Sequence, residues 1–177
     1  MEGEPPRISP YTPSQKVARV LWTVCAALLW KWTPRWMNGW RTELLRVFGA
    51  RVGKGVYVDR SVRIEMPWNL QLGEGVHVSE HAILYCLGTV TIGSRSFLGP
   101  YVHICAGTHD YTDPRFTLIR AAIRVGTDCV LMTAAFVGPE VNIADRCIIL
   151  PRAGVFSSTD PALVYRGNPA RAMGPRH

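Results

Sequence analysis

The sequence has no CxxC pair: its five cysteines, Cys25, Cys86, Cys105, Cys129 and Cys147, lie far apart. This spacing excludes a small disulfide scaffold and a clustered zinc site, and it favours a reducing compartment. There is no run of Lys or Arg and no aromatic-basic signature, so no nucleic-acid partner is expected. No apolar run reaches the ~20 residues that a membrane-spanning helix needs; the longest, Val20 to Trp30, is flanked by Lys16, Arg19 and Lys31. A secretory signal is also lacking, because Glu2, Glu4 and several prolines precede any apolar run, and the expected location is the cytoplasm. Charged residues are sparse, at 19% against 47% hydrophobic, which describes one ordinary folded unit with order throughout beyond the Pro-rich start MEGEPPRISPYTPS.

The charges that are present lean one way. Twenty Lys and Arg against thirteen Asp and Glu give +7, which favours an anionic partner such as a phosphate-bearing cofactor, an acidic glycan or a membrane surface. Val17, Val20 or Leu21, Val24 and Leu28 follow helical spacing, with tryptophans at 22, 30, 32, 36 and 40 adding amphipathic bulk near basic groups. Such a helix packs on the body of the protein or on a neighbouring subunit, or it lies at a membrane interface. A second short helix is expected in WRTELLRVFGA, Trp40 to Ala50, with Gly49 as its stop. Residues 1–50 therefore read as a helical extension, and residues 51–177 as the main domain.

From Val52 apolar residues recur every six positions: Val52, Val58 and Ile64; Leu72, Val78, Leu84 and Val90; Ile92, Leu98 and Ile104; then Val125, Leu131, Val137, Ile143, Ile149 and Val155. Glycine often follows, as Gly53, Gly73, Gly93, Gly99, Gly126 and Gly138. Four residues after the apolar one stands a small or β-branched one: Val56, Val62, Val76, Ala82, Ser96, Val102, Thr108, Cys129, Ala135, Val141, Cys147 and Ala153. The pattern predicts an all-β solenoid of short parallel strands stacked at ~4.8 Å, with the apolar and small residues inside. Glycine is expected to supply the positive φ of tight corners. The register breaks at CAGTHDYTDPR, Cys105 to Arg115, where a loop at about 109–122 is expected to leave the stack.

The six-residue pattern resembles the hexapeptide-repeat acyltransferases, which implies a left-handed parallel β-helix of triangular section; the general rule for parallel crossovers alone would give right-handed connections. WRTELLRVFGARVG, VRIEMPWNLQLG, GTHDYTDPRFTLIRAAIRVG and YRGNPARAM, in that order, look like the colanic-acid-biosynthesis type of O-acetyltransferase, related to maltose, galactoside and nodulation-factor acetyltransferases. The resemblance implies acetyl transfer from acetyl-coenzyme A to a sugar hydroxyl of a surface or exported polysaccharide. It also implies a homotrimer with sites between subunits and a catalytic base at His109. Imidazole suits removal of a hydroxyl proton near neutral pH. Asp110 either orients that imidazole, binds sugar hydroxyls or caps a turn, and Tyr111 contacts the sugar or packs. On the cofactor side the resemblance implies Arg171 for the 3′-phosphate and Asn168 and Pro169 for the turn beside adenine. It further carries Thr133, Pro151, Phe156 and Ser157 onto pantetheine- or nucleotide-contacting positions, with Arg152 and Arg166 as further phosphate contacts.

The chain departs from the family at Val130 to Thr133, VLMT in place of Trp-Ile-Gly-Ala, and at Leu150 to Val155, LPRAGV in place of Gly-Ala-x-Ser-Val-Val. Tyr101 stands where some relatives have asparagine, so no acceptor contact is carried over there. No metal is expected, since His77, His81 and His103 lack the pair five residues apart that the zinc enzymes of this fold require. Cys105 reads as a packing residue and PWNL, Pro67 to Leu70, as the cover of a corner. Two other functions share these features: N-acetylation of an amino sugar, and a non-catalytic scaffold in a glycan-assembly complex.

Overall fold

The computed structural model describes residues 11–176. Most of the Pro-rich start therefore lies outside the described residues. Its last part, Tyr11 to Ser14, leads into α1 (Pro13–Cys25), which opens on a capping box between Thr12 and Gln15 with Pro13 in the first turn. The helix widens into a π turn over Ala26–Trp30, and after a short turn α2 (Asn38–Val47) follows. Gly49, at φ 86°, ends α2 with a bond from Ala50 N to Leu45 O, as its position predicted.

Five three-sided coils come next. They are β1 (Arg51–Val52), β2 (Tyr57–Val58) and β3 (Arg63–Glu65); β4 (Leu70–Leu72), β5 (His77–Val78) and β6 (Ile83–Tyr85); and β7 (Val90–Ile92), β8 (Phe97–Leu98) and β9 (His103–Cys105). A ribbon of β10 (Gly107–His109) and β11 (Leu118–Arg120) interrupts them. Then come β12 (Ile123–Val125), β13 (Val130–Leu131) and β14 (Phe136–Val137), followed by β15 (Asn142–Ile143), β16 (Ile148–Ile149) and β17 (Gly154–Val155). The first, second and third strands of the coils stack as three parallel sheets, A, B and C. β18 (Leu163–Arg166) adds a parallel strand to sheet B, and β19 (Arg171–Pro175) turns back antiparallel on it and closes that end.

The periodicity assigned the inside correctly. Every aliphatic residue of the six-residue register is buried except Val52, which is half-buried against the core. The small positions are buried too, and Ser96 is tolerated there because its hydroxyl donates to Gly126 O and accepts from Cys129 N. Thr108 corrects the register: it is exposed on β10, because the chain has already left the stack at Ala106.

The glycine reading is also corrected. Gly53, Gly73, Gly93, Gly99, Gly126 and Gly138 are not in the left-handed region; the corners are turned by Gly55, Gly75 and non-glycine residues including His81, Arg95, Tyr101, Ala134, Arg146 and Arg152. What requires glycine is proximity of the next coil. A Cβ at Gly93 would lie 2.5 Å from the carbonyl carbon of Gly126 and 2.6 Å from Thr127 N.

The helical segment covers the open end of the solenoid. Asn38 Nδ2 donates to Val56 O and its Oδ1 accepts from Val58 N, so a side-chain amide replaces a missing strand at the edge. Arg41 is fully buried, donating to Val58 O, Thr33 Oγ1, Pro34 O and Arg35 O; burial holds its pKa below the ordinary value. Trp22 donates from Nε1 to Ile64 O at 2.7 Å and packs edge-on against Trp30 and Phe48. The stripe of Val17, Val20, Leu21, Val24 and Leu28 points away from this body and is exposed. Among the described residues nothing of its own chain covers that stripe.

Gly93→Ala is expected to destabilise the fold by about 1–3 kcal/mol, because only backbone atoms could give way. Gly39→Ala, on α2 with nothing within 4 Å of the added carbon, should stabilise by about 0.5–1 kcal/mol. Denaturant titrations of the two variants check the contrast.

Candidate active site

The insertion begins and ends at one point of the stack. Ala121 N donates to Ala106 O, which also accepts from Gly88 N, so residues 107–120 are extruded while the coils above and below stay in register. Gly107 pairs with Arg120, Thr108 with Ile119 and His109 with Leu118, which makes the expected loop a two-stranded ribbon with a tip over residues 110–117.

His109 is exposed at the base of that tip. Its Nδ1 lies 2.7 Å from Phe116 O, and its ring stacks on the Phe116 ring with centroids 4.5 Å apart and planes 8° apart. A carbonyl oxygen has no proton to give, so Nδ1 is the donor. In the neutral ring the lone pair is then on Nε2, and the imidazole is a base with a fixed acceptor atom. Phe116 was not singled out in the sequence. It holds φ 50°, unusual for an aromatic residue, and that backbone turn presents its carbonyl to His109.

Asp110 takes a different place from the imidazole. Its Oδ1 accepts from Thr112 Oγ1 and N, and those bonds hold its carboxyl below the ordinary pKa. Asp113 is held low in the same way, by the Thr117 hydroxyl first and then Arg115 N. Both carboxylates cap turns of the tip. Tyr111 is 87% exposed at its outer end. Cys105, half-buried beneath the ribbon, has its thiol pushed up by burial and donates to Gly107 O, which suits packing rather than attack.

The remaining predicted residues gather at the far coils. Thr133, Pro151 and Arg152 are exposed in one column of corners between sheets B and C, where Arg152 N donates to Thr133 O. The turn after β18 joins that column: Gly154 N donates to Gly167 O, and Ala170 N to Gly154 O. A Cβ on Gly154 would meet Asn168 Oδ1 at 2.6 Å and the Phe156 ring at 2.9 Å, so the glycine lets both side chains close over the strand. Phe156 stays 53% exposed, and Ser157, Arg166, Pro169 and Arg171 are exposed around it. Within one chain Thr133, Pro151 and Arg152 do not join His109: they stand between sheets B and C, whereas the ribbon leaves the third coil between sheets C and A, the corner at which Phe156 and Ser157 follow β17 two coils on.

The departing segments have ordinary places in the stack, with Leu131, Ala153, Gly154 and Val155 buried. Tyr101 stacks on His81, His77 lies between Tyr57 and Phe97, and His103 meets Phe136 edge-on, so three histidines serve aromatic ladders. Among the described residues no three His, Cys, Asp or Glu form a group able to hold a metal. Asn69 donates to Cys86 O and Leu87 O, which fastens PWNL across its corner. A cleft of about 750 Å³ opens between α1 and sheet C, lined by Trp22, Trp30, Trp32, Arg63 and Tyr85 among others, but none of the predicted site residues lines it.

No protein-family model matches the chain. The chain is 40% identical over 150 residues to the Escherichia coli (strain K12) protein named as the colanic acid biosynthesis acetyltransferase WcaF, covering 85% of this chain and 82% of that one. Among solved structures, a maltose O-acetyltransferase from Clostridium difficile 630 superposes with a TM-score of 0.84 at 20% identity, over 94% of this chain and 90% of that one. A galactoside acetyltransferase in complex with coenzyme A gives 0.87 at 18% identity, over 96% and 86%. At these identities the two structures establish the fold, the left-handed parallel β-helix expected from the repeat. The identity to WcaF, sustained across most of both sequences, establishes more: the chain belongs to the colanic-acid-biosynthesis type of hexapeptide-repeat acetyltransferase.

Proposed function

We propose that the protein is an O-acetyltransferase that moves an acetyl group from acetyl-coenzyme A to a sugar hydroxyl in the cytoplasmic assembly of a surface or exported polysaccharide, with His109 as general base. The observation that carries this reading is the bond from His109 Nδ1 to Phe116 O, which leaves Nε2 as the proton acceptor on an exposed, stacked ring.

The far coils suit a long, phosphate-bearing donor. Arg152, Arg166 and Arg171 are exposed, and none is in an ion pair among the described residues, so three guanidinium groups are available to phosphates. The Phe156 ring and the Thr133–Pro151 corner offer a flat, partly apolar track beside them. When bound, acetyl-coenzyme A supplies an acyl group activated as a thioester. His109 Nε2 accepts the proton of the attacking hydroxyl, and the Nδ1–H···O bond to Phe116 strengthens as the ring becomes cationic. The hydroxyl oxygen would attack the thioester carbon directly, and as the C–S bond breaks the proton on Nε2 would pass to the departing coenzyme A thiolate, so no covalent link to the protein is required. In this reading Tyr111, exposed at the tip, contacts the acceptor sugar, and Asp110 shapes the tip through its bonds to Thr112.

Because His109 and the arginines stand at different corners of one chain, a neighbouring copy completes the site in this reading, as a homotrimer would allow. Light scattering should give three times the 19.7 kDa chain mass; an active monomer overturns the trimer. His109→Ala should lower thiol release from acetyl-coenzyme A, assayed on nucleotide- and lipid-linked sugars, by about 10²–10⁴-fold while coenzyme A binding persists. Unchanged activity removes His109 from its role, and product mass spectrometry showing only an amide turns the reading to amino-sugar N-acetylation. Arg171→Ala should raise KM for acetyl-coenzyme A by roughly tenfold with kcat little altered, measured by steady-state kinetics.

A further inference from the structure

The acetyl-transfer reading leaves the outer face of the N-terminal segment unused. Val17, Val20, Leu21, Val24 and Leu28 are 50–66% exposed, on the face of α1 and its π turn opposite the buried Trp22 and Trp30. Trp32 and Trp36, in the turn that follows, are 80% and 82% exposed, Trp32 at the rim of the cleft beside Trp22 and Trp30. A contiguous apolar surface of this kind on a folded chain marks a contact with something else.

Charge identifies the partner. From Tyr11 to Thr42 the chain carries five cations, Lys16, Arg19, Lys31, Arg35 and Arg41, and no acidic residue. Arg41 is spent inside the fold, Arg19 lies 3.7 Å from Glu65 and Arg35 is turned to Tyr57 and Asp59, which leaves Lys16 and Lys31 exposed toward the two ends of the helical segment. Two copies of this face would bring lysines together with only Glu65, already beside Arg19, to offset them. An anionic lipid surface offers an apolar interior for the aliphatic stripe, a headgroup zone for the indoles and phosphates for the cations.

We propose that α1 and the following Trp-rich turn dock the protein on an anionic bilayer surface, lying in its interface and not crossing it. Among the described residues no helix is long and apolar enough to cross a membrane. The docking helix is also tied to the site: Tyr11, at its start, is covered by Arg19 at 4.3 Å and by Arg120 of the ribbon at 4.7 Å. Docking would thus hold the His109 ribbon beside the lipid surface.

The test is sedimentation of the full chain with phosphatidylglycerol-containing phosphatidylethanolamine vesicles and, separately, with pure phosphatidylcholine vesicles, at about 0.1 M salt where surface charges still act. Binding to the anionic vesicles is expected to be at least ~10-fold stronger than to the neutral ones. Leu21→Glu with Leu28→Glu should reduce it by about tenfold or more, with far-UV circular dichroism and assembly mass unchanged. A second variant, Lys16→Gln with Lys31→Gln, should lose most of the preference for anionic lipid. Absence of binding, or equal binding to both vesicles, overturns the proposal. So does a fall in assembly mass in the glutamate variant, which would make the stripe a contact between copies. None of these readouts depends on acetyl transfer.

Discussion

Strand stacking at ~4.8 Å leaves room between successive coils for backbone and little else, and most of the molecule follows from that limit. Inward positions alternate an aliphatic residue that fills the interior with a smaller one that does not overfill it, from Val56 and Val58 to Ala153 and Val155. The glycine after an aliphatic residue is present because its neighbour's backbone occupies the space of a Cβ, as at Gly73, where Ser94 N would be 2.6 Å away. Extra sequence cannot be accommodated within such a stack, so it must leave it. Ala106 and Ala121 close the gap with one backbone bond, and the site residue is carried outward by the same constraint that keeps the core regular.

The ribbon consequently has little of the solenoid to lean on and is organised from within. Asp110 and Asp113 gather the hydroxyls and amides of Thr112, Arg115 and Thr117, and Asp110 N donates to Thr117 O across the tip. Phe116 adopts a left-handed backbone that costs about 1 kcal/mol for a residue with a side chain. Its ring stack on His109 and its carbonyl bond to Nδ1 offset that cost. A residue in such a conformation persists only where the surrounding structure holds it. Here the same contact fixes which nitrogen of His109 carries the proton.

The core was legible because burial is a local property of residue type repeated at one period: fifteen of the sixteen aliphatic register positions are buried. What the period could not convey was distance to a neighbouring coil, so the glycines read as turn-formers when they are close-approach residues, and Thr108 was counted inside after the chain had left. His109 was singled out by its motif, whereas Phe116 reaches it through a carbonyl that every residue possesses, and only its conformation makes it special. The closing β18–β19 hairpin was hidden likewise, since Arg171–Pro175 has no strand-like alternation. On α1 the helical spacing of the apolar residues was right and the helix does pack on the body, but through Trp22 and Trp30, which leaves the aliphatic stripe outside, a choice of face that spacing alone could not convey.

That choice of face has a physical reason. Indole rings present more apolar surface than aliphatic side chains, and Trp22 can also use its N–H, reaching Ile64 O at the exposed edge of sheet C, a bond that no Val or Leu could make. Edge-on contacts of Trp22 with Trp30 and Phe48 then fill the space between helix and coils, so the helix docks by its aromatic side. Once it does, the rotation of α1 is set, and the stripe half a turn away must face outward whatever its polarity. A sequence under no demand on that face would be expected to place polar residues there, as a single-sided surface helix does. Retention of aliphatic residues at 17, 20, 21, 24 and 28, flanked by Lys16 and Lys31, is the pattern of a helix with two apolar contacts, one with its own solenoid and one with a surface outside it.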